Sequence, residues 1–130
     1  MQFKKLAFLW LPVLLWMGLI FYLSSIPNLA VGEGTVDFVT RKPAHIVEYA
    51  VLLLLLFRAI RESFGKFWRF WEIAVGAGMI SFLYGITDEL HQFLTLTRSG
   101  RITDLGFDLL GIFLGLAVLR SFLRKIANIN

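Results

Sequence analysis

Four long apolar stretches, separated by three polar links, make up most of this sequence of 130 residues. Each stretch is close to the roughly 20 residues that an α-helix needs to cross about 30 Å of hydrocarbon. None shows the alternation of apolar and polar residues that is typical of a half-buried strand. The sequence therefore predicts an all-α, polytopic membrane protein with four transmembrane helices, at about residues 3–23, 44–60, 72–93 and 103–123.

The composition agrees with a membrane protein and excludes several other classes. Hydrophobic residues make up 58% of the chain, whereas soluble domains are nearer half. The net charge of +4 could indicate a nucleic-acid partner, but the apolar stretches favour the membrane and no nucleic acid. There are no cysteines, which excludes disulfides, thiol catalysis and thiolate metal sites. A chain of this length has room for one domain, spanning residues 1–130.

The first apolar stretch also resembles a signal peptide, because Lys4 and Lys5 precede it. Its apolar run is long for a signal peptide, and no A-x-A cleavage site follows it, so we expect a retained helix that acts as a scaffold. Pro43 is expected in the first turn of the second helix, where its missing N–H is not needed. The tryptophans and Tyr84 are expected mostly to face the membrane or to anchor the helices at its interface.

The distribution of lysine and arginine predicts the orientation of the helices. The side that holds both termini and the second link has nine basic residues, against four on the other side. The nine are Lys4, Lys5, Arg58, Arg61, Lys66, Arg69, Arg120, Arg124 and Lys125. The four are Arg41, Lys42, Arg98 and Arg101. Because cytoplasmic segments carry the excess of basic residues, both termini are predicted in the cytoplasm. Topology does not require the four outer residues, which need another explanation.

Ionisable side chains lie within three of the predicted helices, all toward the outer ends. They are His45, Glu48, Asp88, Glu89, His91, Asp104 and Asp108, accompanied by the polar residues Tyr49 and Gln92. Such residues are costly in hydrocarbon and are candidates for function by default. Glu48 is five residues past Pro43, about 7 Å deep at 1.5 Å per residue, and the acids of the other two helices lie at similar depths. The sequence thus predicts one layer of charge below the outer surface.

The spacing of these residues gives each helix one polar side. The sets follow i, i+3, i+4 or i, i+4 spacing and are His45–Glu48–Tyr49, Asp88–His91–Gln92 and Asp104–Asp108. Glu89 instead points about 100° away from Asp88. Farther along the fourth helix, Gly111 and Gly115 are expected to let another helix approach closely, which would hold the polar pocket in a fixed geometry.

A pocket that combines acids, histidines and arginines has three sensible uses. It could bind a phosphate through Arg98 and Arg101, whose guanidinium groups have the forked geometry for it. It could bind a divalent cation through carboxylates and imidazoles, or perform general acid–base chemistry. The catalytic candidates are His45, Glu48, Asp88, Glu89 and His91. The substrate-binding candidates are Lys42, Tyr49, Gln92, Arg98, Arg101, Asp104 and Asp108.

The same residues also have a structural interpretation. The polar end of the third helix could pair with Arg98 and Arg101, and Asp104 could serve the helix dipole as a first-turn acid. The whole set would then be a buried ion network that specifies packing and binds no ligand.

Three segments together resemble the VanZ-like family of small bacterial membrane proteins. They are Lys-Pro-Ala-His-Ile-Val-Glu-Tyr at 42–49, Tyr-Gly-Ile-Thr-Asp-Glu-Leu-His-Gln at 84–92, and the stretch from Arg98 to Asp104 that leads into Gly111 and Gly115. The chain departs from the family at Asp108, where the family usually has asparagine, and at 95–97, where a proline is common. The resemblance implies a bacterial cell membrane and a link to glycopeptide resistance, mainly to teicoplanin in the family's namesake. It implies no settled biochemical activity.

We therefore expect an outward-facing pocket that binds or modifies an anionic, lipid-linked component of the cell envelope. One alternative is a metal-dependent membrane hydrolase or transferase, with a divalent cation as its cofactor. The other is the structural ion network without a ligand. The sequence does not decide between binding and catalysis, and it leaves the oligomeric state open.

Overall fold

The computed structural model describes residues 2–26, 35–65, 67–94 and 102–127, and these residues form four α-helices. The helices are α1 (Gln2–Ser25), α2 (Thr35–Phe64), α3 (Phe70–Leu94) and α4 (Ile102–Ala127). Each contains a segment that is long and apolar enough to cross a membrane. The described residues include no strand. The prediction of an all-α protein with four transmembrane helices is confirmed.

The second helix begins earlier than the sequence predicted. It starts at Thr35 rather than near residue 44, so Pro43 lies inside the helix and the prediction that it occupies the first turn is wrong. A proline in a helix interior removes one backbone hydrogen bond, which membrane helices tolerate when other groups compensate. The apolar span of α2 begins at Lys42, so the extra turns before it precede the span.

Helix α2 is central to the bundle. It packs against all three other helices and has its most extensive contact with α4, while α1 packs against α2 and α3. The buried core includes Val13 and Ile20 of α1, Leu52, Leu53 and Leu56 of α2, Ala77 of α3 and Ile112 of α4. Large apolar side chains also cover the outside of the bundle, including Phe8 and Phe113. An outer surface of this kind suits hydrocarbon rather than water.

The contact between α2 and α4 depends on two glycines. A Cβ atom at Gly111 would overlap the backbone carbonyl of Ile46. A Cβ at Gly115 would lie 2.7 Å from Leu53 Cδ2 and 3.1 Å from the carbonyl oxygen of Ala50. The close approach predicted for this pair of glycines is therefore confirmed, and the helix that approaches is α2.

We expect Gly111→Ala to destabilise the protein by about 1–3 kcal/mol, because the new methyl group would push α2 and α4 apart. Gly106→Ala on the same helix is the matched control, since a Cβ there meets nothing within 4 Å. It should be neutral or stabilise the helix by up to about 1 kcal/mol. Unfolding in mixed micelles with increasing SDS, followed by circular dichroism, measures both. Equal stability of the two variants would contradict the proposed packing.

Candidate functional site

A histidine and a carboxylate join α2 to α4 just above the glycine contact. His45 Nδ1 donates a hydrogen bond to Asp108 Oδ1 at 2.8 Å, and the two side chains are 5% and 1% exposed. Asp108 lies one turn before Gly111, so the close helix packing holds the two partners in register. The sequence placed both residues among the candidates, and the structure pairs them.

Helix α3 packs against Asp108 and Tyr49 at Gly85. A Cβ atom there would lie 3.0 Å from Asp108 Oδ2 and 3.3 Å from Tyr49 Cε1. Tyr49 is fully buried, and its ring lies parallel to that of His45, with the ring centroids 6.4 Å apart. The missing side chain at Gly85 therefore makes room for a carboxylate and a phenol from two other helices.

Asp88 points to the other side of α3, toward α1. Its Oδ1 accepts a hydrogen bond from Ser24 Oγ at 2.5 Å, and its Oδ2 accepts one from Gln92 Nε2 at 2.9 Å. Sequence reasoning missed Ser24 and treated α1 as a scaffold only. The sequence does contain a hint of this contact. Two serines, at positions 24 and 25, end the first apolar stretch on the same predicted side of the membrane as the acids.

His91 also faces α1. Its ring packs on Phe21 with centroids 4.4 Å apart, and Nε2 lies 3.4 Å from Ser25 Oγ. The predicted set of Asp88, His91 and Gln92 thus shares one side of α3, as its spacing indicated. The structure brings two members of that set, Asp88 and His91, into contact with α1.

Two aromatic side chains help to hold α1 in place. Trp16 Nε1 donates a hydrogen bond to the backbone oxygen of Glu48 at 2.9 Å, and Tyr84 Oη donates one to the backbone oxygen of Met17 at 2.6 Å. Both had been expected at the membrane interface. They instead connect helices, because their polar atoms bind backbone acceptors inside the bundle.

Glu89 is a buried acid on the side of α3 that faces α4. It is 9% exposed, and its strongest electrostatic interactions are with Asp104 and Asp108 of α4. It therefore faces α4 while Asp88 faces α1, as their spacing along the helix predicted. Asp104 is itself 4% exposed.

Lys42 is a basic residue of α2 that lies beside the first turns of α4. Its Nζ lies 4.8 Å from the centroid of the Phe107 ring, a cation–π contact. Lys42, Glu48 and Asp104 each also take part in further polar or electrostatic interactions. Arg98 and Arg101 were predicted to bind phosphate, and they lie outside the residues that the structure describes.

We use the term polar layer for the buried polar side chains at this end of the bundle. It comprises Ser24, His45, Tyr49, Asp88, Glu89, Gln92, Asp104 and Asp108. Three of its buried atoms have no hydrogen-bond partner among the described residues, and they are Tyr49 Oη, Glu89 Oε1 and Asp108 Oδ2. Each belongs to a different helix. An unpartnered buried polar atom costs about 1–3 kcal/mol, so these three atoms mark where the polar layer is incomplete.

A metal site would need several acids or histidines around one point. Within residues 2–26, 35–65, 67–94 and 102–127, no group of three or more such side chains is placed to hold one. The hypothesis of a metal-dependent enzyme gains no support from these residues.

Comparison with known proteins adds one finding. A family model described as VanZ/LLP1 matches residues 8–124, which cover all four helices. No curated protein and no solved structure matches the chain.

We expect Ser24→Ala to destabilise the protein by about 1–3 kcal/mol, since it leaves one oxygen of the buried Asp88 carboxylate without its donor. Thr87→Ala is the control, because Thr87 is exposed and its hydroxyl donates to the carbonyl oxygen of Tyr84, one turn earlier in the same helix. It should change stability by less than about 0.5 kcal/mol. Thermal unfolding in detergent compares the two. A Ser24→Ala protein as stable as the control would show that α1 does not support Asp88.

Proposed function

The chain belongs to the VanZ/LLP1 family, and we propose that this multi-pass membrane protein binds the headgroup of an anionic, lipid-linked component of the bacterial cell envelope in its polar layer. The observation that carries the proposal is the set of three unpartnered atoms on Tyr49, Glu89 and Asp108. Buried networks that only specify packing normally satisfy their polar atoms. A network left incomplete on three helices suits a ligand that completes it.

The chemistry of the three atoms suggests the kind of group that completes the polar layer. The two carboxylate oxygens accept hydrogen bonds, and the phenol of Tyr49 can donate one. A ligand with hydroxyl or amine groups could donate to Glu89 and Asp108, and a ligand oxygen could accept from Tyr49. This pattern fits a polar headgroup better than it fits a hydrocarbon chain or a simple anion.

The negative charge of the proposed ligand would be met at the rim of the polar layer. Lys42 begins the apolar span of α2, and Arg98 and Arg101 belong to the link between α3 and α4. Arginine pairs well with phosphate because its guanidinium group can donate two parallel hydrogen bonds to two oxygens at once. These basic residues are on the side where the positive-inside rule does not require them, which favours a role in binding.

The proposal includes an orientation. The nine basic residues on the side of the termini, against four on the side of the polar layer, favour termini in the cytoplasm. The polar layer would then open to the outer face of the membrane, where lipid-linked envelope components are exposed. Any chemical modification of the ligand would use His45, because Asp108 orients its imidazole as enzymes orient a general base.

We expect Tyr49→Phe to weaken retention of phosphatidylglycerol about fivefold, the equivalent of one hydrogen bond worth about 1 kcal/mol. The stability of the protein should not fall, because the lost hydroxyl has no hydrogen-bond partner among the described residues. Native mass spectrometry of purified protein titrated with this lipid measures retention. Tyr22→Phe is the matched control, since Tyr22 is 65% exposed on α1.

Two outcomes would count against this function. If Tyr49→Phe retains the lipid like the unmodified protein and is equally or more stable, the polar layer is a packing network without a ligand. If chelation by EDTA abolishes retention, a metal ion mediates it and the metal-dependent alternative is favoured.

The family resemblance extends the proposal to glycopeptide resistance. We expect expression of the chain in a sensitive bacterium to raise the inhibitory concentration of teicoplanin, and Tyr49→Phe to reduce that increase while Tyr22→Phe does not. Growth in graded teicoplanin, at matched protein levels, measures this. If expression does not change the inhibitory concentration, the proposed role in resistance is wrong. The proposed lipid binding is then tested by mass spectrometry alone.

A further inference from the structure

An apolar groove lies between α3 and α4. Its α3 residues precede Gly85 in the chain, whereas the acids of α3 follow it. It has a volume of about 270 Å³ and is lined on α3 by Val75, Gly78 and Phe82, and on α4 by Leu109 and Ile112. All five residues lie within the apolar spans of their helices. The groove is therefore open to hydrocarbon rather than to water.

The groove lies on the same face of α3 as Glu89, the acid with an unpartnered oxygen. Val75, Phe82 and Glu89 follow one another at intervals of seven residues, so they lie on the same face of the helix. Glu89 is two turns beyond Phe82, about 10.5 Å along the axis. Its side chain is 9% exposed, has an oxygen without a partner, and interacts most strongly with acids of α4. One face of α3 thus changes from apolar to acidic within two turns.

We infer that this groove binds one hydrocarbon chain of the ligand whose headgroup completes the polar layer. The inference rests on the proposed function and deepens it, because it specifies an amphiphile with a long chain and a hydrogen-bond donor in its headgroup. The volume is near the lower limit for ligand pockets, so it suits part of a single chain rather than a whole lipid. The donor, a hydroxyl or amine, would meet Glu89.

Gly78 leaves the space that the chain would occupy. A Cβ atom there meets only Ile112 Cγ2 at 3.7 Å and Leu53 Cδ1 at 3.8 Å, which are ordinary contacts. A larger side chain at this position would extend into the groove. Gly76 provides a matched control two residues away on α3, since a Cβ there meets nothing within 4 Å and it does not line the groove.

The test compares dipalmitoyl and dihexanoyl phosphatidylglycerol, which share a headgroup and differ in chain length. We expect Gly78→Leu to lower retention of the long-chain lipid roughly tenfold, the loss expected when about two buried methylene groups are displaced. Retention of the short-chain lipid should not change, and Gly76→Leu should behave like the unmodified protein with both lipids. Native mass spectrometry gives the retention, and thermal unfolding shows whether each variant is folded.

The outcomes separate the inference from the proposed function. If the long-chain lipid is retained equally by Gly78→Leu and Gly76→Leu, the groove does not bind the chain, although retention that depends on Tyr49 would still support the headgroup site. If neither lipid shows dependence on Tyr49, the proposed function itself fails.

A second measurement covers the case in which Gly78→Leu does not fold. Phosphatidylglycerol with a photoreactive diazirine in one long chain is crosslinked to the unmodified protein, and the labelled residues are mapped. We expect labelling to concentrate on Val75, Phe82 and Leu109, relative to Leu14 and Leu15, which are 62% and 65% exposed on α1. Labelling in proportion to exposure alone would mean that the groove holds only bulk lipid, and it would overturn the inference.

Discussion

The close contact between α2 and α4 fixes the geometry on which the rest of the bundle depends. With no side chains at Gly111 and Gly115, the backbones of the two helices meet, and the next turn brings Asp108 against His45. That pairing in turn directs the second oxygen of Asp108 toward α3, where Gly85 leaves room for it. The absence of side chains at these three glycines therefore determines where the buried charge lies, because a hydrogen bond between short side chains requires helix backbones at a fixed distance.

The buried acids differ in how completely they are hydrogen-bonded by the described residues. Asp88 has hydrogen bonds to both of its oxygens, from Ser24 and Gln92, and needs nothing more. Asp108 has one oxygen bonded and one unpartnered, and Glu89 has an unpartnered oxygen as well. Loss of Asp88 would remove the acceptor of Ser24 and Gln92, and loss of Asp108 would leave His45 without its partner, so both losses would lower stability. The acids look alike in the sequence, and the structure separates them by whether the described residues satisfy their oxygens.

The sequence predicted the four helices and the sides of α3 and α4 that carry the acids, because hydrophobic length and helical spacing are local properties. It did not predict which helix each polar side would face. Asp88 and Asp108 look equivalent in the sequence, yet one meets a serine of α1 and the other a histidine of α2, and only the packing of the bundle decides this. The start of α2 was also missed, since Pro43 marks a helix start by local rules and the structure continues the helix through it. The unpartnered atoms could not be inferred from the sequence, because whether a buried polar atom has a hydrogen-bond partner depends on how the helices pack.

The bonds that attach α1 have a consequence for how the protein is made. Synthesis proceeds from the N-terminus, so α1 is completed first, while the acceptor of Trp16 lies on α2 and the partners of Ser24 and Met17 lie on α3. Helix α1 therefore reaches its final position only after α3 has emerged. In the same way, the imidazole of His45 meets Asp108 only once α4, the last of these four helices, has been translated. A ribosome that stalls between α3 and α4 would leave a three-helix intermediate with this histidine unpaired in the membrane, a state that quality-control proteases could distinguish from the finished bundle.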